Sequence, residues 1–87
     1  MADRKEYGKM LTDLIQTQMV ILGPNIALDM ARKAAGLKVG NNGEVLYISG
    51  DPQMVLKSVA GEYEALSGSI AQMTLNSVLG KYPGVKM

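Results

Sequence analysis

"LKVGNNGEVLYISGDP", residues 37–52, decides how this chain is read. Its centre, Gly40-Asn41-Asn42-Gly43, is built from residues that tolerate positive φ. On one side lies the apolar run 37–39, and on the other Val45, Leu46, Tyr47 and Ile48, all strand formers. Two such runs around a turn predict a β-hairpin. The same loop raises a second reading. A GxxG loop clamps the nucleic-acid backbone in KH domains, and the wing of a winged helix is also a hairpin. The KH loop joins helices and usually carries Lys or Arg, whereas this one joins strands and carries two neutral Asn. A nucleic-acid contact would have to use Arg32, Lys33 and Lys38 with Gly40, Asn41, Asn42 and Gly43. Arg32 and Lys33 have a simpler use as cations near a helix C-terminus. The loop is therefore read as a turn, with a nucleic-acid-binding module as the alternative.

Outward from the hairpin, both flanks read as helices. Residues 3–22 place Tyr7, Leu11, Leu14, Ile15, Gln18 and Leu22 on one stripe. Gly23-Pro24 breaks that pattern, and proline suits the first turn of a second helix, expected over 24–35 with Gly36 as its stop. After the hairpin, Asp51 is placed as the cap and Pro52 as the first residue of a third helix, with Leu56, Val59, Ala60, Tyr63 and Leu66 inward. Gly68 ends it. Ser69 is placed as the cap of a fourth helix carrying Ala71, Leu75, Val78, Leu79 and Tyr82, with Ile70 and Met73 elsewhere on its surface. The expected fold is a small α+β domain of order α-α-β-β-α-α. It forms one domain, 1–87, with 1–4 and 83–87 frayed. A two-stranded hairpin is marginal alone, so it must lie on the helices or be completed by strands of another subunit.

Composition narrows the function. Eighty-seven residues bury a modest core, and small domains lean on disulfides, metals or oligomerisation. Cysteine and histidine are both absent, which leaves no thiolate or imidazole for disulfides, zinc or the commonest acid–base chemistry. Glu62 and Glu64 lie about 200° apart on a helix and form no catalytic pair. Asp51, Glu62 and Glu64 lack the dense spacing of a calcium loop. No enzyme, cofactor or metal is expected. The net charge of +1 supplies no field for nucleic acid or membrane. No signal peptide is recognised, and no run approaches the ~18 apolar residues of a membrane span, so a soluble cytoplasmic protein is expected.

Oligomerisation is the remaining supplement, and two stretches point to it. Residues 14–28 and 65–80, fifteen and sixteen long, carry no charge. Helices uncharged around most of their circumference have no obvious outer face. The expected contact surface is Leu14, Met19, Leu22, Ile26, Met73, Leu75 and Leu79. The sequence thus describes a homodimeric protein–protein interaction or regulatory module, without naming its partner.

Overall fold

Asp3 starts the first helix: its carboxylate accepts the Glu6 N–H at 2.9 Å, an N-cap bond. In the computed structural model, which describes residues 3–86, this helix is α1 (Arg4–Leu22). At 1.5 Å per residue it is about 28 Å long, most of the 31 Å longest dimension of the molecule. One face of it, Tyr7, Met10, Leu11, Leu14, Ile15 and Gln18, is buried. Pro24 occupies the first turn of α2 (Pro24–Arg32), which buries Ala27, Leu28 and Ala31. Small side chains let α2 lie close to its neighbours. The helix stops at Arg32 rather than at residue 35, because the next turn tightens. The N–H groups of Lys33 and Ala34 bond the carbonyls of Met30 and Ala31, three residues back.

The hairpin forms as expected from β1 (Leu37–Val39) and β2 (Val45–Ile48). Its antiparallel register pairs Leu37 with Ile48, Lys38 with Tyr47 and Val39 with Val45, so Leu46 is the extra residue of a bulge. Gly36 leads into it at φ +84, where a Cβ would stand 2.5 Å from the Ser49 carbonyl oxygen. That position admits no side chain. Asp51 accepts from Gln53 N–H at 3.0 Å and opens α3 (Pro52–Ser67). α4 (Ser69–Leu79) follows at once. Its cap position is Gly68, and Ser69 is the first helical residue, so the serine hydroxyl makes no capping bond. The element order is α-α-β-β-α-α, an α+β domain in which 83–86 lie against α1 rather than free. Val85 is buried, and Tyr7 O–H donates to the Lys86 carbonyl at 3.3 Å. Residues 1–2 and 87, also expected to fray, lie outside the described residues.

The core is aliphatic except for two tyrosine rings, Tyr7 at its edge and Tyr63 at its centre. Tyr63 is 1% exposed, and its hydroxyl donates to the Ala27 carbonyl at 2.8 Å, tying α3 to α2. Gln18 is the exception to an otherwise apolar interior. It is fully buried, and neither its Nε2 nor its Oε1 has a partner among the described residues. An unsatisfied buried amide costs about 1–3 kcal/mol. Gln18→Met, which keeps the volume and removes the polar atoms, is expected to raise the urea midpoint; a lower midpoint would mean the amide is satisfied in solution.

Burial holds the Tyr63 phenol well above its usual range. A phenol that keeps its proton more tightly when folded favours the fold below about pH 10, and that contribution is lost as pH rises further. With no histidine in the chain, stability should stay nearly level from about pH 6 to 9 and fall above about pH 10. Tyr63→Phe should cost about 1 kcal/mol at neutral pH, through the lost bond to Ala27, and move the alkaline fall upward. Thermal melts across that range decide it; an unshifted alkaline limb assigns the transition to another group.

Candidate functional site

The hairpin loop, where a nucleic-acid contact was possible, rests on α1 through Gly43, with Asn41 and Asn42 exposed at its tip. Within it, Gly43 N–H bonds the Gly40 carbonyl at 3.0 Å and Asn42 Oδ1 accepts Glu44 N–H at 3.0 Å. Against α1, Gln16 Nε2 donates to the Asn42 carbonyl at 3.2 Å. Gly43 has φ +85, and a Cβ there would lie 2.6 Å from Met19 Sδ and 3.0 Å from Gln16 Cγ. Arg32, the strongest candidate for a phosphate, donates instead to the Val39 carbonyl at 3.2 Å and to Asn41 Oδ1 at 3.1 Å. Of the alternative set, Arg32, Gly40, Asn41, Asn42 and Gly43 hold the hairpin together. Lys33 and Lys38 are the exposed cations that remain.

The same contacts answer what supports the hairpin. α1 packs along β2 and α2 along β1. Thr12 Oγ1 accepts the Val45 N–H at 3.0 Å, and Arg4 Nη1 donates to the Ile48 carbonyl at 3.1 Å. Each strand is met by a flanking helix: α1 bonds two backbone groups of β2, and Arg32 of α2 bonds one of β1.

The residues expected to form a contact surface divide three ways. Leu14 and Leu75, 1% and 3% exposed, belong to the core of the chain itself, and their assignment to a contact surface is corrected. Their stripes face the other helices of the same domain. Met19, Leu22 and Leu79 are half-buried against that core. Ile26 and Met73 are exposed, Met73 at 72%. The expected surface left out Val20, the barest large apolar residue at 86%, together with Ile21 and Ile70, and Leu66, expected inward, is instead 49% exposed because it lies where α3 runs out beyond the core.

These bare side chains gather at one end. Tyr82 O–H donates to Asp13 at 3.0 Å, and Thr17 shares a shallow depression with Thr74 and Ser77. α1 and α4 are therefore antiparallel, and one further turn brings Val20 and Ile21 level with Ile70 and Met73. The Tyr63–Ala27 bond sets the last third of α3 beside the start of α2, which carries Leu66 and Ile26 to the same end. Both uncharged stretches converge there, and charge enters at the margin, where Lys81 lines the depression with Met73 and Asp29 and Glu64 border the stretches.

A second feature lies along the first half of α1. There the helix and β2 enclose an open groove of about 740 Å³, lined among others by Arg4, Lys5, Lys9, Leu46 and Tyr47. Tyr82 closes part of it. Burial, then the hydrogen bond and charge of Asp13, then the charge of Glu6, raise its phenol above the usual value. Among the described residues there is no group of three or more His, Cys, Asp or Glu placed to hold a metal ion, and no helix is long and apolar enough to cross a membrane. No family model, curated protein or solved structure matches the chain.

The loop's role is open to a direct test. Gly43→Ala forces a side chain into a left-handed backbone position and against Met19, and should cost about 1–3 kcal/mol by urea unfolding. A wild-type midpoint would mean that the loop stands off α1.

Proposed function

We propose that this protein is a non-enzymatic interaction module that acts in the cytoplasm as a homodimer, joined through the apolar pole and serving a regulatory or adaptor role. The observation that carries the reading is Val20, 86% exposed, with Met73 at 72% and Ile70 at 55%, all on stretches of sequence without charge. Monomers rarely leave a contiguous apolar patch beyond about 300–600 Å² bare.

A second copy suits the pole better than a charged partner does. Neither stretch carries Lys, Arg, Asp or Glu, and Lys81, which lines the depression beside Met73, is already paired with Asp13, so a charged partner gains little there. Set against itself by a twofold axis, it meets a surface of its own composition. A standard contact takes about 800 Å² from each copy, roughly one sixth of the 4893 Å² that this chain exposes. Met73 adds a flexible thioether that adapts to an opposing surface. Dimerisation also supplies what a core of this size lacks, since neither disulfide nor histidine–thiolate metal site is open to the chain. The nucleic-acid alternative retains only Lys33 and Lys38 as uncommitted cations.

Light-scattering mass on a size-exclusion column, over a hundredfold dilution, tests the proposal. The wild type should run as a dimer at micromolar concentration. Val20→Asp and Met73→Asp should give monomers with unchanged circular dichroism. Leu75→Asp, in the core, should instead lose helical signal. A wild-type monomer at every concentration would overturn the dimer.

A further inference from the structure

We propose that the groove between α1 and β2 is a binding site for a small organic acid with an aromatic or apolar body, on a surface separate from the dimer pole. Its volume, about 740 Å³, falls in the range of small-molecule pockets. Its charges are graded along its length. Arg4 bonds Ile48, Thr12 bonds Val45 and Gln16 bonds Asn42, so the helix runs antiparallel to the strand. Arg4, Lys5 and Lys9 therefore gather at the end where α1 begins, and Glu44 lies toward the other.

Those cations are uncommitted to carboxylates. The one ion pair among the described residues joins Lys81 to Asp13 at 4.0 Å. Asp13, which also lines the groove, is further held by the Tyr82 hydroxyl at 3.0 Å. Lys5 and Lys9 stand one turn apart on the same helix face, and Arg4 is anchored by its bond to the Ile48 carbonyl. An acid group placed there gains charge-assisted hydrogen bonds without displacing a carboxylate of the chain.

The walls fit the rest of such a ligand. Across from the helix, Leu46 and Tyr47 are 59% and 63% exposed, an apolar and an aromatic side chain left bare beside the groove. Gly8 lies on the helical side, between the two lysines. A glycine inside a helix is unfavourable relative to alanine, and a Cβ at this one would meet nothing within 4 Å. Packing within the chain gives no reason for it. A ligand body that approaches the helix backbone closely does.

The probe is 8-anilinonaphthalene-1-sulfonate, a sulfonate on an aromatic body, followed by amide shifts in nitrogen-15 NMR of the full chain. Saturable shifts are expected at Gly8, Lys9, Leu46 and Tyr47 by about 1 mM dye. The double variant Lys5→Glu/Lys9→Glu should weaken binding by about tenfold or more. Gly8→Leu should abolish it while the melting temperature holds or rises, since leucine is the better helix former. Met73→Asp should leave binding unchanged, which separates this site from the pole whatever the oligomeric state. Shifts centred on Val20, Ile70 and Met73, an affinity indifferent to the charge reversal, or no saturable shift would each overturn the proposal.

Discussion

The buried face of α1 is the constraint on which the rest of the molecule depends. Met10, Leu11, Leu14, Ile15 and Gln18 are at most 1% exposed, and α2, α3, α4 and β2 all pack against their helix. Without Phe or Trp, no single bulky side chain fills the middle. The interior is instead closed by many aliphatic contacts, individually weak and collectively large, with Tyr63 as its largest member. Such a core tolerates little slack. The Gln18 amide stands out within it, because a polar group on that face has only other packed side chains to meet.

Charge divides α1 in two, and the two candidate surfaces follow the division. Every charged residue of the helix lies at or before Asp13, where the groove runs. Beyond Asp13 the helix is neutral, and its last turn ends among bare apolar groups. A charged and an uncharged surface separated along one rigid rod have different partners open to them. Salt weakens contacts at the first and leaves those at the second largely untouched.

Much of the architecture was legible in the sequence because local chemistry and tertiary packing agree. Asp51-Pro52, Gly23-Pro24 and the GNNG turn mark real boundaries, and the stripe from Tyr7 to Gln18 is the buried one. Misreadings occurred where two elements compete for the same residues. The chain between Ala31 and Gly36 tightens to meet the hairpin, which periodicity does not report. Leu14 and Leu75 share uncharged stretches with the bare residues, and absence of charge alone does not tell an inward stripe from an outward one. The better signal in α4 was the offset of Ile70 and Met73 from the Ala71–Leu75–Val78 row. For α1, Val20 lies on the face opposite the Leu11–Gln18 row, whereas Ile21 continues that row and is bare because the helix has run past the core. The groove left no linear trace, since Arg4, Lys5 and Lys9 meet Leu46 and Tyr47 only after folding.

The hold of the helices on the hairpin bears on how this chain behaves when crowded. A bare strand edge is a template on which further extended segments stack, the first step toward cross-β fibres. Here a threonine hydroxyl and two arginines, each from a flanking helix, already occupy backbone groups of the strands. A neighbouring copy would have to displace those three contacts before it could pair along the full length of either strand. Fibre growth from this region is thus opposed by the hold of α1 and α2 on the strands as much as it is favoured by the β-forming tendency of Val45 to Ile48.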